Sequence, residues 1–296
     1  MVSVKAKLVA WIALLSAICL VGVVSADQPQ GGPVAGRFLR LTRDKSDVPL
    51  ALETAIVHCV PTDPRRRLPT VDLVAAVHIA EKSYYQRLNR ELAGYDVVLY
   101  ELVAADEFKV PSAGGPGSDH PITILQNGMK DLLGLEFQLQ GIDYTRKNLV
   151  HADMSPDQFA ESMRKRRETL MTMIVRVLGY EMTRPNEPNG GGGSGQLLLA
   201  LFDKNRSLAL RRVFAEQFED SEGSFAALEG RNGSTLISGR NQVALQVLRK
   251  ELAAGKTKIA IFYGAAHMPN FQTRLRADFG LVPVSTRWLV AWNMKS

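Results

Sequence analysis

The sequence predicts an α/β protein: a single domain with a mainly parallel central sheet flanked by helices, preceded by an N-terminal extended segment. Three observations predict this class. Short apolar runs alternate with amphipathic helical stretches. The first run, helix and second run fall within residues 71–102, which is the spacing of a strand–helix–strand unit. The 296 residues, 46% hydrophobic and 22% charged, suffice for one large core.

Residues 1–26 have the pattern of a secretory signal peptide. Lys5 and Lys7 precede an apolar stretch at 8–24, and Val24-Ser25-Ala26 forms a cleavage site. We therefore expect an exported protein, periplasmic or secreted, whose domain spans 27–296. The alternative is an uncleaved membrane anchor at 8–24, which would be the only membrane contact.

The strands and helices follow from the apolar pattern. Extended segments are predicted at 38–42, 50–60, 71–77, 96–102, 147–152, 258–263 and 282–292. Helices are predicted at 80–93, 122–134, 155–180, 196–219, 239–254 and 268–278. The clearest helix start is Ser155-Pro156-Asp157, which offers an N-cap, a proline at N1 and an acid in the first turn.

Two loop segments are rich in glycine. Residues 111–120 predict a surface loop. Residues 186–195 predict a mobile loop within the one domain, and we expect them to be the first site of proteolytic cleavage. No Gly-Lys-Ser/Thr pattern follows, so this stretch is not a phosphate-binding loop.

The cysteine count and the charge pattern argue against a disulfide-bonded protein and against a nucleic-acid-binding protein. Cys19 lies in the signal, which leaves Cys59 alone in an apolar run and predicts a buried structural thiol. The net charge is +6, and the basic residues are scattered apart from the run 164–167. We interpret that run as a solvated helix face and predict no nucleic-acid partner.

Metal-ligating side chains follow several of the predicted strands. His78, Glu101 and His267 come at strand ends, and His151 with Asp153 ends a short extended segment. The carboxyl ends of parallel strands meet at one edge of a sheet, where ligands bind. Imidazole and carboxylate are the usual ligands of a catalytic divalent metal. Each residue alone has an ordinary structural explanation, but together they predict a functional site.

Two further features lie near these ends. In Gly264-Ala265-Ala266-His267, the glycine would let the backbone turn tightly and return the imidazole over the strand end. Arg240 and Asn241 open a predicted helix. The Arg240 guanidinium is suited to an anionic substrate group or oxyanion, or equally to bracing a carboxylate.

These motifs resemble those of the TraB/GumN-type family. The resemblance rests on the segments Ala75-Ala76-Val77-His78 with Tyr84-Tyr85, Val97-Val98-Leu99-Tyr100-Glu101, Gly239-Arg240-Asn241, and Tyr263-Gly264-Ala265-Ala266-His267-Met268-Pro269. The family belongs to a wider grouping with the TIKI metalloproteases, ChaN-type haem-binding proteins and erythromycin-esterase-like enzymes. The resemblance spans about residues 50–292, with Ala75 standing where the family has glycine.

The resemblance implies a divalent metal ion held by His78, Glu101 and His267, with His151 a further candidate ligand. It implies that Arg240 and Asn241 support the site, and that Asp153 belongs to it. The leading hypothesis is an exported metal-dependent hydrolase of the TraB/TIKI type, acting on a peptide or small-molecule substrate. Glu101 or Asp153 is then the general base, with ligand and base left open. The alternative is a non-catalytic protein that binds haem or a small peptide in the same histidine-lined pocket.

Overall fold

A seven-stranded sheet forms the centre of the computed structural model of the chain. The structure describes residues 37–63, 65, 68–103, 133–169, 171–173, 175–176, 199–220, 228–230 and 232–295. The strands of the sheet are β1 (Leu39–Arg43), β2 (Pro49–Pro61), β3 (Thr70–Ala76), β5 (Val97–Tyr100), β7 (Leu149–His151), β8 (Lys258–Gly264) and β9 (Leu281–Asn293). A separate two-stranded pair consists of β4 (Ile79–Ala80) and β6 (Glu136–Phe137).

The strand directions confirm a mainly parallel sheet. β3, β8, β5 and β7 are neighbours in that order and all run parallel. β2 is antiparallel to its three partners, β1, β3 and β9, so it alone among the described strands of this sheet runs the other way. β9 covers one edge of the long β2, while β1 and β3 share the opposite edge.

Helices cover both faces of the sheet and close two apolar layers. On one face lie α1 (Lys82–Leu92) and α4 (Arg206–Asp220), whose buried residues include Tyr85, Leu88 and Leu210. On the other lie α5 (Arg240–Ala253) and α6 (Met268–Phe279). Two shorter helices are α2 (Gln138–Gly141) and α3 (Pro156–Lys165), and helical residues also occur at 171–173, 175–176 and 199–201. The predicted single-domain α/β class is confirmed.

The strand–helix–strand unit differs from the prediction in one respect. β3, α1 and β5 are present, but β3 and β5 are not neighbours, because β8 pairs with both. The sheet is thus completed by a strand from the far end of the chain.

Two helix predictions need correction. The helix that begins after Ser155 has the expected capping box but ends at Lys165 rather than near residue 180. Arg167 has a left-handed φ of 53°, which an α-helix cannot contain. The helix predicted at 196–219 is interrupted at 202–205, where the chain turns, and continues as α4. A π-helical turn, Thr235–Gly239, precedes α5, and Ser234 caps that turn.

Some predictions fall outside the described residues. These are the signal peptide or anchor at 1–26, the loop at 111–120, most of the helix at 122–134 and the glycine-rich loop at 186–195. Among the residues that are described, no helix has the length and apolarity to cross a bilayer. Cys59 is described and fully buried, as predicted.

Candidate functional site

The carboxyl ends of the four parallel strands bring the predicted residues to one rim. Glu101 directly follows β5, and Asp153 comes two residues after β7. His78 comes two residues after β3, and His267 ends a 3₁₀ turn, Ala265–His267, that follows β8. Arg240 opens α5 at the same rim and reaches both carboxylates.

Arg240 is held between two buried carboxylates. Its Nε donates to Asp153 Oδ1 at 3.0 Å, and its Nη2 donates to Asp153 Oδ2 at 2.5 Å and to Glu101 Oε1 at 2.7 Å. The three side chains are 12%, 0% and 9% exposed. A planar guanidinium fits this two-sided contact, which a lysine could not reproduce. Of the two interpretations offered for Arg240, these contacts are those of a carboxylate brace.

This pairing fixes the charges of the site. Burial alone would raise the pKa of Glu101, but the Arg240 guanidinium, with His267 and His78 nearby, holds it well below its usual range. Burial likewise opposes the charge of Arg240, yet Asp153 and Glu101 raise its pKa above the usual value. Near neutral pH the centre therefore contains one cation and ionised Glu101.

Asn241, the next residue of α5, orients His267. Its Nδ2 donates to the His267 carbonyl oxygen at 3.0 Å and to Asn270 Oδ1 at 2.9 Å. Its Oδ1 must then be the acceptor for His267 Nδ1, 2.6 Å away. This network assigns the proton to Nδ1 and leaves a lone pair on Nε2. Burial lowers the pKa of His267 to about 4, although Glu101 opposes this, so the imidazole is neutral.

The lone pair of His267 points into the charged centre. Its Nε2 lies 3.6 Å from Glu101 Oε1 and 3.5 Å from Arg240 Nη1. The imidazole Nε2 is therefore an acceptor that faces both the guanidinium, at hydrogen-bond distance, and the ionised carboxylate.

Gly264 is required here for space rather than for a special backbone angle. Its N–H donates to Glu101 Oε2 at 2.7 Å, and its φ of −54° and ψ of 143° suit any residue. A Cβ at this position would lie 3.3 Å from Glu101 Oε2 and 3.8 Å from His78 Nε2. The expected tight glycine turn is therefore not what the structure has. The glycine instead lets Glu101 and His78 approach the strand end.

His78 and His151 stand apart from the buried cluster in different ways. The His78 side chain is exposed, with Nε2 on the same side of Gly264 as Glu101. His151 lies against Tyr100, with ring centroids 5.7 Å apart, and its Nε2 lies 2.5 Å from the Leu102 carbonyl oxygen. A carbonyl oxygen only accepts, so Nε2 of His151 carries the proton.

No complete metal centre is preformed in the described part of the chain. There, no group of three or more His, Cys, Asp or Glu side chains has the arrangement to hold a metal ion. Nε2 of His267 and Oε1 of Glu101 lie 3.6 Å apart, and the exposed His78 approaches the same side of Gly264 as Glu101.

Two further residues position this site, and of these only Asn270 was not singled out from the sequence. Asn270 receives the Asn241 amide, and the Tyr263 hydroxyl donates to the Ala152 carbonyl oxygen at 2.5 Å, directly before Asp153. The spacing of Asn270, three residues after His267 in the opening turn of a helix, was the available signal for the first. Tyr263 belongs to a motif of the resemblance, but its bond to Ala152 could not be predicted from the sequence.

The fold and the site define a single-domain α/β protein with a buried, charged centre at the carboxyl rim of its parallel strands. Comparison with protein-family models, with curated proteins and with solved structures found no match to this chain. The resemblance to the TraB/GumN-type family therefore rests on the sequence motifs alone.

Proposed function

We propose that the chain is an exported metal-dependent hydrolase, most naturally a peptidase, whose centre is the pair Glu101 and His267. One observation carries the proposal: Asn241 fixes the tautomer of His267 so that a buried lone pair on Nε2 faces the ionised Glu101 carboxylate. Metal-ligating histidines are oriented in this way, by a hydrogen bond to the other ring nitrogen.

The separation of the two donor atoms supports a metal between them. Ligand atoms bound tetrahedrally at about 2.1 Å from a metal lie roughly 3.4 Å apart. Nε2 of His267 and Oε1 of Glu101 are 3.6 Å apart. Nitrogen and carboxylate oxygen are also the donor types that a divalent ion such as zinc prefers. These two residues fit the proposed ion.

The third ligand in this proposal is His78. Its side chain is exposed and therefore has room to turn, and its Nε2 already lies near Gly264, to which Glu101 is bonded. His151 is the further candidate. Because the described residues hold no preformed group of three, we expect metal binding to require a side-chain rearrangement of His78.

The protein's own residues would do the following. Arg240 and the Gly264 N–H keep Glu101 ionised and fixed, while Asn241 holds the proton of His267 on Nδ1 and burial keeps the imidazole neutral. Asp153 is fully buried beneath Arg240 and holds the guanidinium in place. A divalent ion bound to these groups lowers the pKa of its water and so supplies a nucleophile near neutral pH.

A second candidate function is binding without turnover. One observation favours it: Arg240 already neutralises Glu101 and contacts Asp153, which reduces the need for a metal. The same pocket would then hold a small peptide or haem, and purified protein carrying haem would show a Soret band.

Metal analysis of the purified mature protein tests the proposal. We expect about one equivalent of divalent ion in the wild type and its loss in His267→Gln and His78→Ala. His58→Gln is the matched control, because His58 bonds Asp72 away from this site. Hydrolysis of internally quenched peptides should follow the metal content. A wild type that binds no divalent ion, even after addition of excess zinc, manganese or cobalt, would rule the proposal out.

A further inference from the structure

A second polar pair, Gln138 and Tyr144, lies beside the candidate site. The Gln138 backbone N–H donates to the His78 carbonyl oxygen at 2.8 Å, and its side-chain Nε2 lies 3.1 Å from the Tyr144 hydroxyl. The ring of Tyr144 lies 5.1 Å from that of Tyr100, the residue before Glu101. The pair is therefore fixed to both strand ends that carry the proposed ligands.

The hydrogen bonding of this pair is incomplete. Gln138 is 4% exposed, yet its Oε1 is buried with no partner among the described residues. A buried polar atom left unpaired costs about 1–3 kcal/mol, so an apolar residue would suit a purely structural position better. The retained amide points to a requirement other than packing.

The Tyr144 hydroxyl has a proton to offer. Because Gln138 Nε2 donates to it, the hydroxyl oxygen is the acceptor in that bond and its own hydrogen is left for another group. If the amide were turned the other way, Tyr144 would donate to Oε1 and the Nε2 hydrogens would be left instead. In either orientation the pair presents a hydrogen-bond donor.

The loop that carries Tyr144 is anchored. The Asp143 N–H donates to Asn89 Oδ1 at 3.0 Å, and Arg146 Nη1 donates to the Asn89 carbonyl oxygen at 2.9 Å. Both bonds fix the loop to α1. Burial, with Glu101 adding to it, raises the pKa of Tyr144, so its hydroxyl keeps the proton.

Among the described residues, the Gly264 N–H and most N–H groups of Arg240 are already bonded within the candidate site. Three N–H contacts of Arg240 go to Asp153 and Glu101, and its Nη1 faces His267. The N–H of Gly264 is bonded to Glu101. Acyl transfer develops negative charge on the substrate oxygen, and a fixed donor is needed to stabilise it.

We infer that the Tyr144 hydroxyl is the hydrogen-bond donor to the acyl carbonyl of the substrate and that Gln138 positions it. This inference rests on the proposed function, and it assigns to the substrate an acyl carbonyl group, which peptides have. Tyr144 is the catalytic residue in this assignment because it contacts the reacting oxygen. Gln138 is a positioning residue that acts through Tyr144.

The test compares Tyr144→Phe with Tyr100→Phe, its stacking partner, as the matched control. Each is assayed for cleavage of internally quenched peptides, for binding of the same peptides to chelator-treated protein by fluorescence anisotropy, and for metal content and Tm. We expect Tyr144→Phe to lower kcat/KM about 100-fold, as for loss of an oxyanion donor, with metal content unchanged. Tyr100→Phe should resemble the wild type.

Two variants of Gln138 test the positioning role. Gln138→Leu leaves the Tyr144 proton free but unpositioned, and it removes the unpaired oxygen. Its activity should fall by less than that of Tyr144→Phe, while its Tm should not fall. Gln138→Glu accepts the Tyr144 proton and should match Tyr144→Phe in activity. If Gln138 had only a structural role, Gln138→Leu would lower the Tm, and its activity would fall at least as far as that of Tyr144→Phe.

The outcomes separate this inference from the proposed function. If the wild type binds peptides without cleaving them, and Tyr144→Phe binds them more weakly, the hydrolase proposal fails and the assignment of Tyr144 stands. Equal behaviour of Tyr144→Phe and Tyr100→Phe would overturn the assignment, as would loss of metal in Tyr144→Phe. A wild type that neither cleaves nor binds peptides overturns both.

Discussion

Asn241 and His267 are joined by two hydrogen bonds that together determine which imidazole nitrogen carries the proton. The amide of Asn241 donates to the backbone carbonyl of His267 at 3.0 Å, and its oxygen receives the imidazole Nδ1–H at 2.6 Å. Helix α5 and the turn after β8 are thereby fixed to each other at the site.

Asn241→Leu should weaken both the fold and the site. It removes all three side-chain hydrogen bonds of Asn241 and leaves a buried imidazole donor unpaired, which should cost about 2–3 kcal/mol of unfolding free energy. Divalent metal affinity should fall roughly 10–100-fold, because the orienting partner of a proposed ligand is lost. Urea unfolding and metal titration measure the two effects. Asn270→Ala removes only the outer contact of Asn241, and an equal effect from it would contradict this explanation.

Arg240→Leu should be among the most destabilising single changes at the site. It leaves Glu101 and Asp153 buried without their cation, at a cost of about 3–5 kcal/mol. Arg240→Lys should recover little, because an ammonium cannot make the two-sided contact. Denaturant unfolding measures both variants. The double variant Arg240→Leu with Asp153→Asn should be more stable than Arg240→Leu alone. If it is not, the carboxylates do not depend on Arg240.

Gly264→Ala should leave the fold intact but disturb the position of Glu101 in the site. The backbone angles of Gly264 suit alanine, so the protein should fold with a Tm within a few degrees of the wild type. The added Cβ would crowd Glu101 Oε2, however, and should lower metal binding and peptide cleavage. Gly94→Ala, where a Cβ meets only ordinary contacts at 3.5 and 3.6 Å, is the control. If Gly264→Ala bound metal with wild-type affinity, the close contact between Glu101 and Gly264 would not be needed for metal binding.

Stability should depend on pH through His267. Its pKa is about 4 in the folded protein against an ordinary value of 6.5, so between these values the unfolded chain binds more protons. Stability is therefore full above pH 6.5 and falls as the pH decreases toward 4, by about 3 kcal/mol for the whole shift. Urea unfolding of chelator-treated protein at several pH values measures this loss. His267→Leu should have a flatter profile over the same interval, and an unchanged profile would refute the assignment.

Cys59 should be unreactive in the native protein. Its side chain is fully buried, and burial, with Asp72 adding to it, raises the pKa of the thiol to about 12. A thiol reagent at pH 8 should therefore label mature protein only after denaturation. Labelling measured with and without guanidinium checks this. Rapid labelling of the folded protein would show that Cys59 is not buried.

Much of the sheet could be predicted from local pattern. The apolar runs at 50–60, 71–77 and 258–263 became β2, β3 and β8, because continuous apolar segments of this length are buried strands. Strand neighbours could not be predicted in the same way. β8 pairs with both β3 and β5, which lie far from it in the sequence. The local pattern of apolar residues contains no information about such distant partners.

The site was predictable in its residue types but not in its contacts. Strand ends indicated Glu101, His267 and Asp153, because parallel strands bring their carboxyl ends together. Bracing of the carboxylates by Arg240 is a three-dimensional fact that its position at a helix start left open. Gln138 and Tyr144 lie in a short helix and a loop with no pattern of their own, so local sequence offered no signal for them.

The position of β8 constrains how the chain can acquire its structure during synthesis. β8 separates β3 from β5, and it pairs with β3 across roughly 190 residues of sequence, so the middle of the sheet is absent until the end of the chain is made. β9, later still, completes the edge of β2. A nascent chain ending before residue 258 thus exposes unpaired strand edges and needs protection from aggregation. If residues 1–26 direct export, this delay keeps the polypeptide unfolded, as threading through a translocation channel requires.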